Sequence, residues 1–178
     1  SPDLELSRFT LGKSRLIGVL GSITAGPVDE TDILSFDLTL PDIAHVYESR
    51  GGTYLGETKL INHRAPRGNA RVYAAMPYRV KAVSIRGPNE VRQGDSLPLE
   101  IAVNAEEGKS GTHVVHVSIF GPTDDMGNRR ERSHYARNLQ ADDGFTSTTI
   151  PLAYNDTPGQ WTIEAKDAAT GIIGRKAV

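Results

Sequence analysis

The stretch Asn155–Gly171, NDTPGQWTIEAKDAATG, decides how this chain is read. Asn155 and Asp156 are short side chains that cap a turn, Pro158 presets the backbone, and Gly159 supplies the positive φ that a tight reversal needs. Trp161, Ile163 and Ala165 then alternate with Thr162, Glu164 and Lys166, the period of a strand with one apolar and one polar face. The alternation predicts that Trp161 points into a core. Asp167–Gly171 reads as a hairpin turn, and IIGRKAV returns as a last strand.

The same rhythm extends outward from this stretch. RLIGVL, ILSFDLTL, AHVYES, ARVYAAM, KAVSIRG, LPLEIAVNA, THVVHVSIFG and TSTTIPLAY are short, mostly alternating and bounded by Gly, Pro, Asn or Asp. No window sustains a 3.6-residue apolar stripe. The 18 Gly and 10 Pro fall between the strand candidates. The expectation is an all-β chain of two tandem antiparallel β-sandwiches, residues 1–81 forming a small one and residues 82–178 an immunoglobulin-like one.

Composition narrows the function classes. A net charge of -2 lacks the basic excess of a duplex nucleic-acid binder. No apolar run approaches the roughly 20 residues of a membrane-spanning helix. With 0 Cys there are no disulfides, thiolate nucleophiles or cysteine-ligated zinc sites, so packing alone must stabilise the fold. The opening SPDLELS, without Met, reads as the interior of a longer polypeptide.

Chemistry-bearing residues give weaker signals. The acidic pairs Glu106/Glu107, Asp124/Asp125 and Asp142/Asp143 are sequence neighbours, whereas glycosidase carboxylates face one another across roughly 5–10 Å. His45, His63, His113, His116 and His134 form no metal motif. His113 and His116 fall on opposite faces of one strand. The loops TDDMGN and QADDG carry two acids beside a Gly, which suits either hard-oxygen calcium ligation or a polar turn. No catalytic residue, metal site or cofactor is assigned.

Two features remain as candidate binding sites. Arg129, Arg130, Arg132 and Arg137 crowd the run GNRRERSHYARN, where planar guanidinium forks could grip an anionic sugar, a phosphate or a partner domain, or decorate a solvated hairpin. Tyr135 within that run is placed against the domain if the arginines point outward. Tyr54, beside the RGGTYLG turn, is expected to be exposed as a stacking platform for a sugar.

GTHVVHVSIFGP with DDGFTSTTIPLAYNDTPGQWTIEAKDAATG resembles the macroglobulin and fibronectin type III-like immunoglobulin-fold modules of large bacterial surface and secreted proteins. LTLPDIAHVYESRGGTYLGET with ARVYAAMPYRV is similar to the small β-sandwich following the catalytic barrel in bacterial β-galactosidase-like glycoside hydrolases. The resemblance implies a C-terminal, non-catalytic accessory or structural region of a larger secreted carbohydrate-active protein. Its partner would be an upstream catalytic domain of the same chain, and its location extracellular or periplasmic. The alternative is a stand-alone module that binds a glycan or protein. Neither reading involves nucleic acid or a membrane span.

Overall fold

The computed structural model describes residues 4–21, 32–124 and 126–178. Among these residues the chain forms strands and a single 3-10 turn. By internal contacts it divides into two compact units. One comprises Ser1–Arg79 with Ala169–Gly171, the other Val80–Ala168 with Ile172–Val178.

The N-terminal unit contains β1 (Leu4–Leu11), β2 (Ser14–Gly21), β3 (Ile33–Glu48), β4 (Thr53–Pro66) and β5 (Arg71–Met76). They form one antiparallel sheet in the order β1-β2-β5-β3-β4. ILSFDLTL and AHVYES, which look like separate strands, belong to the single 16-residue β3. Pro41 lacks an N–H for the ladder, and the register with β4 shifts between Thr39 and Ala44 to accommodate it. Leu40, within the bulge, and Val46, beyond it, share a buried cluster with Ile17, Ile61 and Tyr73. At the β3–β4 turn the Glu48 carboxylate accepts the backbone N–H groups of Arg50 and Gly51, and Gly52 takes a φ of 66°.

The C-terminal unit contains β6 (Val80–Arg86), β7 (Ser96–Ala105), β8 (His113–Phe120), β9 (Arg137–Ala141), β10 (Phe145–Pro151), β11 (Thr162–Asp167) and β12 (Ile173–Ala177). A three-stranded sheet β10-β7-β6 faces a four-stranded sheet β12-β11-β8-β9, an immunoglobulin-like antiparallel sandwich. Strict alternation builds its core. Leu97, Leu99, Ile101 and Val103 of β7 are buried, as are Val115, Val117 and Ile119 of β8 and Ile163 and Ala165 of β11. The 3-10 turn Ser133–Tyr135 lies between β8 and β9.

Trp161 departs from the sequence expectation. Strand β11 begins at Thr162, so the indole sits at the strand's mouth, half-buried, while Ile163 and Ala165 behind it are fully buried. The turn before it matches its chemistry: Gly159 has a φ of 136°.

Candidate functional site

At one end of the C-terminal sandwich, where β8, β10 and β12 finish and β7 and β11 begin, the strand termini leave a cleft of about 440 Å³. Leu97 and Ile119, both core residues, form its apolar base. Leu152, Trp161 and Val178 supply further apolar walls, and Val91, Arg92 and Gln93 close it from the segment joining β6 to β7. This volume falls within the range of small-ligand pockets.

The remaining wall, Asp156–Gly159, is held by hydrogen bonds to distant segments. Tyr135, 5% exposed, donates its phenol O–H to Asp156 Oδ2. The backbone N–H of Ala153 donates to the Tyr135 oxygen (2.8 Å) and to Asp156 Oδ2 (3.0 Å). Gln93 donates its amide to the Asp156 carbonyl, and Trp161 Nε1 donates to the Thr157 carbonyl at 2.9 Å. Burial and the Asp156 hydrogen bond push the Tyr135 phenol above its ordinary pKa of 10.0. These bonds fix the loop before any ligand arrives.

Two further groups frame the indole. The Tyr135 ring lies 6.4 Å from it, tilted by 59°. The Arg132 guanidinium sits 5.7 Å from the indole centroid, and among the described residues its buried Nε has no hydrogen-bond partner.

The arginines singled out from the sequence do not share one partner. Arg129 donates to Thr162 Oγ1 at 2.8 Å and Thr123 Oγ1 at 3.3 Å. Arg130 is exposed, and Arg137 is half-buried with Nη1 on the Ala136 carbonyl. Arg132 alone of the four packs beside Trp161.

Tyr54 is not an exposed platform. It is half-buried, with its hydroxyl 2.8 Å from His45 Nδ1, its ring 4.9 Å from that of Tyr47, and the Arg79 guanidinium 4.8 Å from its centroid. Arg79 therefore covers the ring that the sequence marks as open.

The other polar candidates serve local structure. His113 is fully buried and bonded to Asp167 at 2.9 Å, whereas His116, on the opposite face of β8, is exposed and bonded to Asn138. In TDDMGN, Asp124 Oδ1 accepts the backbone N–H groups of Met126 and Asn128, while Asp125 lies outside the described residues. In QADDG, Asp142 Oδ1 accepts from Gln140 and Thr112, and Asp143 adopts a positive φ of 49°.

Sequence reasoning missed Arg92, Gln93, Leu152 and Val178 as neighbours of Trp161. The available signal was the Asp156–Gly159 turn preceding the single Trp, since such a turn holds an aromatic ring at a strand's entrance.

No family model matches this chain. No curated protein matches it either. Among solved structures it is similar to the superoxide reductase (neelaredoxin) from Ignicoccus hospitalis, with a TM-score of 0.37 and 8% identity, over 56% of this chain and 78% of that one. It is similar to a Bacteroides uniformis β-glucuronidase, with a TM-score of 0.28 and 10% identity, over 94% of this chain and 26% of that one. A glycosyl hydrolase family 2 member from Bacteroides cellulosilyticus gives a TM-score of 0.29 and 10% identity, over 96% and 27% respectively. The chain thus spans about a quarter of the length of those two hydrolases. Among the described residues, no helix is long and apolar enough to cross a membrane.

Proposed function

We propose that this chain is a non-catalytic accessory region of a larger, secreted, carbohydrate-active bacterial protein of glycoside-hydrolase type. Its two β units support or orient a catalytic domain lying upstream on the same polypeptide, or mediate assembly. One observation carries this reading: among the described residues, buried His63, His113, Asp167 and Tyr135 are each bonded to an ionisable partner inside the fold. His63 bonds Tyr73, His113 bonds Asp167, and Tyr135 bonds Asp156. Asp167 and its His113 partner are both fully buried, so that carboxylate cannot meet a glycosidic bond. Hydrolysis by paired carboxylates needs both groups to face a substrate from a cleft.

The test is peptide mapping with intact mass on the protein from its native source, paired with assays on chromogenic glycosides. Peptides extending well before Ser1 are expected. The 178-residue chain alone should leave every glycoside intact while the full polypeptide cleaves at least one. A mature protein beginning near Ser1 overturns the reading. So does glycoside cleavage by the isolated chain that is lost on changing one of its own carboxylates.

A further inference from the structure

We infer that the cleft beside Trp161 is a binding site for a small carboxylate with an aromatic or aliphatic body. The inference concerns the C-terminal unit alone and is independent of whether a hydrolase precedes it.

The apolar body follows from the base and walls. Leu97, Ile119, Leu152, Trp161 and Val178, at the ends of five strands, present hydrocarbon to one half-open cleft. Covering such surfaces with an apolar ligand removes them from water, which is the dominant favourable term in small-ligand binding.

The polar groups argue against a sugar. The Gln93 amide already donates to the Asp156 carbonyl, the indole N–H to the Thr157 carbonyl, and Asp156 Oδ2 accepts from Tyr135 and Ala153. A pyranose carries hydroxyls around its ring, and each one desolvated without a partner opposes binding. These engaged groups are not open to a sugar's hydroxyls. A flat ring or branched alkyl group makes no such demand.

The carboxylate follows from Arg92, the cleft's basic lining residue. Among the described residues its guanidinium has no ion pair or hydrogen bond, and its exposed position leaves the planar fork open to an incoming acid. Asp156, the acidic lining residue, is turned to the wall through its bonds to Tyr135 and Ala153. The ligand's acid therefore meets the cation at the rim while its body enters the apolar base.

Trp161 provides the readout, because it is the only tryptophan of the 178-residue chain and its indole N–H gives a single resonance. Phenylpropionate titrated into the labelled protein should shift that resonance saturably in the millimolar range or below. The neutral phenylpropionamide should bind about threefold more weakly, and Arg92→Gln should lower phenylpropionate affinity by a similar factor, as expected for a partly exposed ion pair. Arg92 is exposed, so this variant keeps the fold, which the unchanged remainder of the spectrum verifies. The absence of a saturable shift overturns the inference. Equal affinity for acid and amide, or unchanged affinity in Arg92→Gln, overturns it too, as does a shift produced by methyl glucoside and not by the acid.

Discussion

The phenol of Tyr135 donates to the carboxylate of Asp156 across 21 residues of sequence, tying the 3-10 turn after β8 to the loop before β11. The same phenol oxygen accepts the backbone N–H of Ala153. Tyr135→Phe keeps the ring in place and removes both bonds to the oxygen. Because one of them engages a carboxylate, the loss should be about 1.5–3 kcal/mol, measured by urea denaturation. The pH sign follows from the raised phenol pKa. The unfolded chain ionises near 10.0 while the folded phenol resists, so this contribution is complete below 10.0 and falls as pH rises through the folded value. The alkaline decline should shrink in the Tyr135→Phe variant.

Trp161 sits at the mouth of the sandwich, packed on one side by Tyr135 and Arg132 and open to the cleft on another. A fully buried aromatic truncated to Ala costs about 3–5 kcal/mol. Half-buried Trp161 should cost about 2 kcal/mol when changed to Ala, as read by circular dichroism during urea denaturation. Acrylamide should quench its fluorescence in the native protein. A shielded indole together with a core-sized stability loss would contradict its placement.

These positions show what the sequence makes legible. In β7, Leu97, Leu99, Ile101 and Val103 alternate with residues that face outward, so the period-two pattern reports a buried face directly. Strand β1 gives no comparable signal, because Leu6 and Phe9 are exposed along with their polar neighbours. Strand β3 reads as two strands because Pro41 looks like a terminator, although a register shift carries the ladder past it. At the sites, alternation orients Ile163 and Ala165 correctly, but it cannot tell that Trp161 occupies the last rung of the ladder, opposite Val178, where the sandwich ends. Tyr54 is covered by Arg79, a neighbour distant in sequence that no local pattern supplies. The cleft is built from the ends of β7, β8, β10, β11 and β12, and only the topology brings those ends together.

Gly174 of β12 faces the backbone of β6. A Cβ added there would lie 2.2 Å from the Val83 carbonyl oxygen and 2.8 Å from its carbon, so the clash is with main chain and no side-chain rotation relieves it. Gly174→Ala should separate β12 from β6 and destabilise the C-terminal unit by about 1–3 kcal/mol. Calorimetry should show a lower melting temperature, and hydrogen exchange should accelerate first along β12. An unchanged melting temperature would mean that the two strands stand farther apart.

His63 supplies a pH-dependent element in the N-terminal unit. It is 2% exposed, stacked on Phe36 with ring centroids 4.7 Å apart, and its Nδ1 lies 2.9 Å from the Tyr73 hydroxyl. Burial, with the nearby Arg71 charge adding to it, lowers its pKa below the ordinary 6.5. The unfolded chain therefore takes up a proton on this residue before the folded chain does. Stability from His63 is complete above 6.5, is lost as pH falls from 6.5 toward the folded value, and levels off below it. Proton NMR should place the His63 ring midpoint below 6.5. The urea midpoint of the N-terminal unit, followed by amide resonances of β4 and β5, should decline across that window. A His63 midpoint at or above 6.5 would show that the folded state accepts the imidazolium, and the decline should then be absent.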